Sequence, residues 1–293
     1  MAKWLQSTDV IRFSVTDRVA RITLNRPEKR NALNADLIRE IHQAMLEADD
    51  RKDVNVIVLD GEGKDFCAGH DLVGAYASRE GDADAVEYRS RSGTVDDDMW
   101  TIHRSHPQKL TAWDIHKPVI AKVHGNCLAG GTDLALLCDM VIAADDAKIG
   151  FPAARANGTP TVHMWTYLCG PQWAKRLLMT GDYLSGRDAA RIGVVLDCAP
   201  AEELEAKVAE LARRISFVDA ELLAVQKRVV NQAMELMGAM TLQRFAAEWD
   251  AVGHLANGPR RTQFRADMAK DGLKQALANR DAPFGDSRIN IGW

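Results

Sequence analysis

Two hydrophobic runs, Val54 to Leu59 and Val119 to Val123, each lead into a turn of small residues that closes on Asp-Leu. The turns are Ala68-Gly69-His70-Asp71-Leu72 and Gly130-Gly131-Thr132-Asp133-Leu134, and they echo each other at a constant offset (130 − 68 = 133 − 71 = 62). A nearly continuous apolar run of this length is a strand buried on both faces, so the chain must cover a sheet from two sides. Small residues leaving a strand let main chain approach a ligand closely, and the first turn of a following helix offers unpaired N–H groups. Two such turns brought together would aim two donors at one oxygen, the geometry of an oxyanion hole. Ordinary strand-to-helix turns of an α/β protein carry glycine as well, so the surrounding residues must decide.

At 293 residues, with 46% hydrophobic and 27% charged residues, the chain has the composition of a globular domain with an appendage rather than a disordered or fibrous protein. A net charge of −4 argues against nucleic acid or an anionic membrane as partner. No apolar run approaches the roughly 20 residues of a membrane span. Met1 to Ser7 lacks the apolar core of a signal peptide, and five cysteines without a CxxC pair read as small core residues in a reducing compartment. The expectation is a cytoplasmic protein.

Ile11-Arg12-Phe13-Ser14-Val15 and Ala20-Arg21-Ile22-Thr23-Leu24 alternate apolar and polar around Asp17-Arg18, which predicts a hairpin. Asn34 is placed to cap a helix whose apolar face is Leu37, Ile38, Ile41, Ala44, Met45 and Ala48. Residues 79–98 are acidic among small residues and read as a solvated lid, loop or helix. Met140 to Ala144 is a further strand, and Ser185 stands three residues before Asp188 at a predicted helix start. From Pro200 the periodicity turns helical, with Leu204, Val208, Leu211 and Ile215 on one face and further helices near 219–237, 241–255 and 262–280. An α/β core over 1–198 with a helical region over 199–293 serving assembly is the organisation this predicts.

Several segments together resemble the crotonase (enoyl-CoA hydratase/isomerase) superfamily. They are Asn25-Arg26-Pro27-Glu28-Lys29-Arg30-Asn31-Ala32-Leu33-Asn34, Phe66 to Leu72, Lys117 to Gly125, Leu128 to Ala135, Thr180-Gly181-Asp182, and Arg280 to Gly285. The resemblance implies an α/β fold, a spiral of ββα repeats with a helical C-terminal trimerisation region, assembled as a homotrimer or homohexamer. It implies acyl-CoA thioesters as substrates, with coenzyme A entering as part of the substrate and no separate cofactor or metal. It places Ala68 and Gly130 N–H in the oxyanion hole, Ala68, Gly69, His70, Asp71 and Gly130 along the thioester and pantetheine path, and Lys29 and Arg30 near the CoA phosphates. Arg280 is either a reach toward a neighbouring subunit's nucleotide or an exposed structural arginine.

One departure bears on the chemistry. Hydratases of the family resemble a two-acid machine, with glutamates three positions after the oxyanion glycine and twenty further on. Here the first position is Asp133 and the second is Ala153, which has no proton to give, and no Asp or Glu occurs from Ala147 through Gly181. Asp133 is therefore the expected acid/base, and His70, His103, His106 and His163 are candidates for the missing partner, each more readily read as a structural histidine. His103-x-x-His106 has helical metal-ligand spacing but is followed by Pro107 and lacks a third ligand in sequence. Trp165, Tyr167 and Met164 are readable as an acyl pocket or as core. The leading expectation is an enoyl-CoA hydratase-like lyase or isomerase that stabilises a thioester enolate. The alternative is an acyl-CoA-binding protein that has lost hydratase chemistry.

Overall fold

The computed structural model describes residues 2–73, 88–89 and 94–292. Strands β1 (Ile11–Thr16) and β2 (Val19–Leu24) form the predicted antiparallel hairpin. Asp17 and Arg18 both have positive φ (49° and 66°), as a two-residue turn matched to strand twist requires. Helix α1 (Ala35–Asp50) is capped by Asn34, whose side chain accepts from Leu37 N at 2.9 Å, and its predicted apolar face is the buried one. Strands β3 (Val56–Gly61), β4 (Val119–Val123), β6 (Met140–Ala144) and β9 (Asp197–Ala199) add in parallel to β2, giving one six-stranded sheet. β3 is buried from Val56 to Asp60, as its unbroken apolar run demands.

A second sheet holds β5 (Asn126–Leu128), β7 (Lys148–Gly150), β8 (Tyr183–Ser185) and β10 (Arg288–Ile289). The chain alternates between the two sheets: β4 is followed by β5 and the short helix α4 (Gly130–Ala135), and β6 by β7 and a 3-10 turn over Pro152–Arg155. β8 leads into α6 (Gly186–Arg191), where Ser185 caps the helix by accepting from Asp188 N at 3.1 Å. The fold is thus the α/β architecture of repeated ββα turns.

The 62-residue echo has a direct structural counterpart. β3 and β4 pair with that register, Ile57 with Val119 and Leu59 with Ala121. Beyond the sheet the register slips to 60, because Cys67 bridges Cys127. The first connection, Leu59 to Cys67, is two residues longer than Ala121 to Cys127. This slip decides which residues of the two turns face each other.

Between these units run α2 (Val95–Lys109), α3 (Thr111–Asp114) and α5 (Trp165–Thr180). Asp96, Asp97 and Asp98, part of the predicted acidic segment, form the first turn of α2 behind the cap Thr94. Of that segment, residues 79–87 and 90–93 lie outside the described residues. The C-terminal third is helical as its periodicity requires: α7 (Leu204–Ser216), α8 (Ala220–Leu236), α9 (Ala239–His254) and α10 (Pro259–Asp281). α7 packs on β3 and β4, while α9 lies along α2 and closes one side of the site described next. Among the described residues no helix is long and apolar enough to cross a membrane.

Candidate active site

The two glycine turns meet. A Cβ on Gly69, whose φ is +106°, would lie 3.0 Å from Ala129 Cβ and 3.0 Å from Leu128 O. A Cβ on Gly131 would lie 2.4 Å from Cys67 O. Only glycine permits this approach. The pairing is Gly69 against Ala129 and His70 against Gly130, the 60-residue register.

That register corrects one expectation. Ala68 N–H is not a spare donor, because it bonds Arg30 O at 3.0 Å. Leu33 then bridges His70 in parallel fashion: Leu33 N–H bonds Gly69 O at 2.8 Å, and Asp71 N–H bonds Leu33 O at 2.9 Å. In a parallel bridge the intervening N–H points the opposite way. Among the described residues no acceptor meets the N–H of His70, and none meets the N–H of Gly130. The resemblance, like the 62-residue offset, points to Ala68; the two extra residues after β3 move the partner of Gly130 to His70.

Gly130 opens α4 because Ala129 before it takes φ 49°, ψ −122°, a conformation glycine adopts freely and alanine does not. Such strain costs about 1–3 kcal/mol and gathers at functional turns. Ala129→Gly is expected to relieve it, less the roughly 0.5–1 kcal/mol that glycine's extra freedom costs. A rise in the thermal midpoint of about 2 °C per kcal/mol gained would register it; an unchanged or lower midpoint would mean the turn is unstrained.

Asp133 follows in the first turn of α4 and is 5% exposed. Its Oδ2 accepts from Thr161 N at 3.2 Å and from Thr161 Oγ1 at 2.9 Å, while Oδ1 is buried and meets no hydrogen-bond partner among the described residues. Burial pushes the carboxyl up to about 7, against the pull of Lys109 and the Thr161 hydroxyl. A helix N-terminus favours an anion by about 0.3–1 kcal/mol. The rise from 3.8 corresponds to about 4 kcal/mol, so desolvation dominates.

Lys109, at the end of α2, was not singled out by sequence. Its Nζ donates to Thr161 Oγ1 at 3.0 Å and lies 3.4 Å from His70 Nε2. Burial holds the ammonium below the ordinary lysine range, offset by Asp133 and Asp250. An ammonium can only donate, so His70 Nε2 accepts and the ring proton sits on Nδ1. Desolvation and the adjacent Lys109 drive the His70 imidazole down to about 3, leaving it neutral at ordinary pH. Leu33, Ile38, Ile41 and Leu134 complete a narrow apolar cleft over Asp133 and Gly130.

The other sequence candidates fall elsewhere. Ala153 sits in the 3-10 turn, its carbonyl taking the N–H groups of Ala156, Asn157 and Gly158, which steers the chain toward Thr161. His106 Nε2 bonds Thr161 O at 3.0 Å, His103 faces Glu248 at 3.7 Å, and the main-chain N–H of His163 bonds Gln243 Oε1 at 2.6 Å, its buried ring Nδ1 meeting no partner among the described residues. The two histidines of the H-x-x-H pair therefore serve different partners. Asp71 is bound to Arg26 at 3.1 Å, while Lys29 and Arg30 are exposed, Arg30 Nε lying 3.8 Å from Asp65. Arg280 is neither reaching outward nor exposed: it is buried and bonds Asn157 and Asp281 of its own chain. Trp165 and Met164 are core, and Tyr167 hydroxyl donates to Met237 O at 3.2 Å.

The two-sheet fold and the meeting turns define a crotonase-type protein, and residues 14–256 match the family described as Enoyl-CoA hydratase/isomerase. The chain belongs to that family. It is 31% identical over 274 residues to a crotonyl-CoA hydratase of Syntrophomonas wolfei, covering 92% of this chain and 95% of that protein. It is 34% identical to a probable enoyl-CoA hydratase of Mycobacterium bovis, covering 74% of this chain and 79% of the other. Among solved structures, an enoyl-CoA hydratase from Mycobacterium smegmatis superposes with a TM-score of 0.86 at 35% identity, covering 96% of both chains. An enoyl-CoA hydratase/isomerase from Xanthobacter autotrophicus gives 0.85 at 33%, covering 95% of this chain and 99% of the other.

Proposed function

We propose that the protein is a lyase or isomerase acting on acyl-CoA thioesters through their enolates. The His70 and Gly130 N–H groups receive the thioester oxygen, and Asp133 moves the proton at the α-carbon. The observation that carries this reading is the buried Asp133 Oδ1 beside two main-chain donors, all three without partners among the described residues. Each donor of such a pair is worth roughly 3–4 kcal/mol of transition-state stabilisation in a dry site. A carboxyl near pH 7 is equally ready to take or give a proton. Ala68, Gly69 and Asp71 shape the turn beneath the thioester, and the exposed Lys29 and Arg30 stand on the adjoining segment, whose Arg30 carbonyl accepts from Ala68 N–H, where CoA phosphates would find them. Hydration, double-bond migration, decarboxylation and C–C cleavage all pass through such an enolate.

The test is incubation with crotonyl-CoA and a panel of saturated and unsaturated thioesters in D2O, read by NMR. Deuterium at the α-carbon, or product from a panel member, is the expected result. Binding without exchange or turnover of any member would instead favour the acyl-CoA-binding alternative.

The assembly belongs to the same reading. In α8 Lys227 is the one buried residue, while Leu222, Val225, Val229, Val230 and Leu236 are exposed. Phe245, Trp249 and Val252 of α9, with Leu255 just after it, extend the apolar surface. So much exposed apolar side chain in one region suits a protein interface. Sedimentation equilibrium is expected to show three or six subunits at micromolar concentration, and a monomer would refute it.

A further inference from the structure

We propose that Lys109, acting through the Thr161 hydroxyl, is the second proton-carrying group of the site, in place of the acid that Ala153 cannot supply. The inference rests on the enolate reading above. Its basis is an unbroken chain of contacts from one face of the site to the other. Lys109 Nζ is 3.0 Å from Thr161 Oγ1, and Thr161 Oγ1 is 2.9 Å from Asp133 Oδ2. Asp133 Oδ1, the opposite oxygen, is the buried unpartnered one. The hydroxyl has one proton, and it lies toward the carboxylate, because the ammonium on its other side can only donate. Lys109 thus reaches Asp133 only through a group able to pass a proton in either direction.

The balance is simple. With Asp133 protonated on Oδ1, that proton goes to the α-carbon of the enolate. Oδ2 takes the Thr161 proton as the carboxyl electrons shift, and Thr161 takes a proton from the Lys109 ammonium. The net change is one proton from Lys109 to carbon; Thr161 regains a proton, Asp133 ends neutral with its proton on Oδ2 in place of Oδ1, and water reprotonates the amine. Abstraction of an α-proton runs the same path backwards, starting from the neutral amine.

Other groups around Lys109 fit this role. The nearest ring nitrogen, His70 Nε2 at 3.4 Å, belongs to an imidazole that stays neutral and so adds no competing cation. From α9, Asp250 faces the lysine electrostatically and is itself bound to Thr159 N at 2.7 Å; His254 stands behind it, 3.6 Å away and paired with Asp98. His106, on the lysine's own helix, is occupied by Thr161 O. Among the described residues the polar contacts of Nζ are Thr161 Oγ1 and His70 Nε2, neither of them a carboxylate. Burial lowers the lysine toward the raised carboxyl, so a proton moves between groups of closer affinity than in water.

The experiment measures α-proton exchange of butyryl-CoA in D2O as a function of pH, in wild type, Lys109→Met, Lys109→Arg and Thr161→Val. Wild type that binds the thioester without exchange, at any pH, would sink the enolate reading and says so independently of the variants. If wild type exchanges, Lys109→Met and Thr161→Val should each lose about 10²-fold. The double variant should lose little more, since both remove one path. Lys109→Arg keeps a charge that does not titrate, and it should remain as slow as Lys109→Met. Ethylamine added to Lys109→Ala should restore exchange in proportion to its concentration. Exchange in Lys109→Arg within about threefold of wild type, or additive losses in the double variant, would overturn the relay and leave Lys109 a fixed charge. The Asp133 carboxyl, followed by 13C NMR in Lys109→Met, reports folding and titration apart from turnover. It should titrate higher than in wild type, and an unchanged titration would overturn the coupling.

Discussion

Asp133→Asn is expected to lower turnover of the best thioester by about 10²–10⁴-fold, the range that one positioned acid/base contributes. The variant keeps the shape of the side chain and the carbonyl that receives Thr161, but its amide neither takes nor gives a proton at the α-carbon. The same change has an opposite effect on stability, and the sign follows from titration. The folded carboxyl titrates at about 7, far above the 3.8 of a free aspartate. Between those values the folded protein binds the proton that the unfolded chain has lost, so wild-type stability falls as pH rises from 4 to 7 and stays low above. Below pH 4 both states are protonated and the penalty is absent. Asparagine carries no such penalty. Its thermal midpoint relative to wild type should therefore climb from pH 4 to pH 8, while kcat collapses. A difference in midpoint that does not change with pH would mean that the carboxylate is ordinary. A kcat within threefold of wild type would remove Asp133 from the chemistry. Restoring activity with Asp133→Glu would add that reach, rather than charge alone, is adjustable at this position.

Much of the fold is legible because its signals are local. The alternation of Ile11 to Leu24, the cap at Asn34, the apolar run before Asp60 and the serine at 185 each act within a few residues. The site was legible only in part. Gly130 and Asp133 belong to one turn, and the spacing within a turn survives folding. The partner of Gly130 depends on a slip between two connections of different length, and nothing inside either turn marks it. Lys109 was hidden for a stronger reason. It ends a helix that already carries Asp96, Asp97, Asp98 and Arg104, and one more charged residue there carries no signal. Only the packing of α9 on α2, and a loop that returns Thr161 to Asp133, turn it inward. Long-range packing also decides what the histidines touch. The His106 ring is held by a carbonyl, and the main chain of His163 by a glutamine, contacts made across 55 and 80 residues of chain.

Gly130→Pro is expected to reduce turnover by at least about 10²-fold while leaving CoA affinity nearly intact, because it deletes one donor of the oxygen-binding pair and nothing else that is bonded. Gly130 N–H meets no acceptor among the described residues, so the fold loses no hydrogen bond there. The residue is also the first of α4, where proline's fixed φ suits a helix. Two side effects must be separated from the loss of the donor. Proline restricts Ala129 before it, which already holds a left-handed φ of 49°. New atoms on residue 130 also press on the His70 ring, since a Cβ there would stand 2.8 Å from His70 Cδ2. Gly130→Ala supplies the separation: it adds the same Cβ beside the ring and keeps the N–H. If the donor matters, the alanine variant retains most of its turnover and the proline variant does not, with both thermal midpoints above the assay temperature. Equal losses in the two would trace the effect to the displaced imidazole, and the main-chain N–H of Gly130 would then have no part in holding the thioester oxygen.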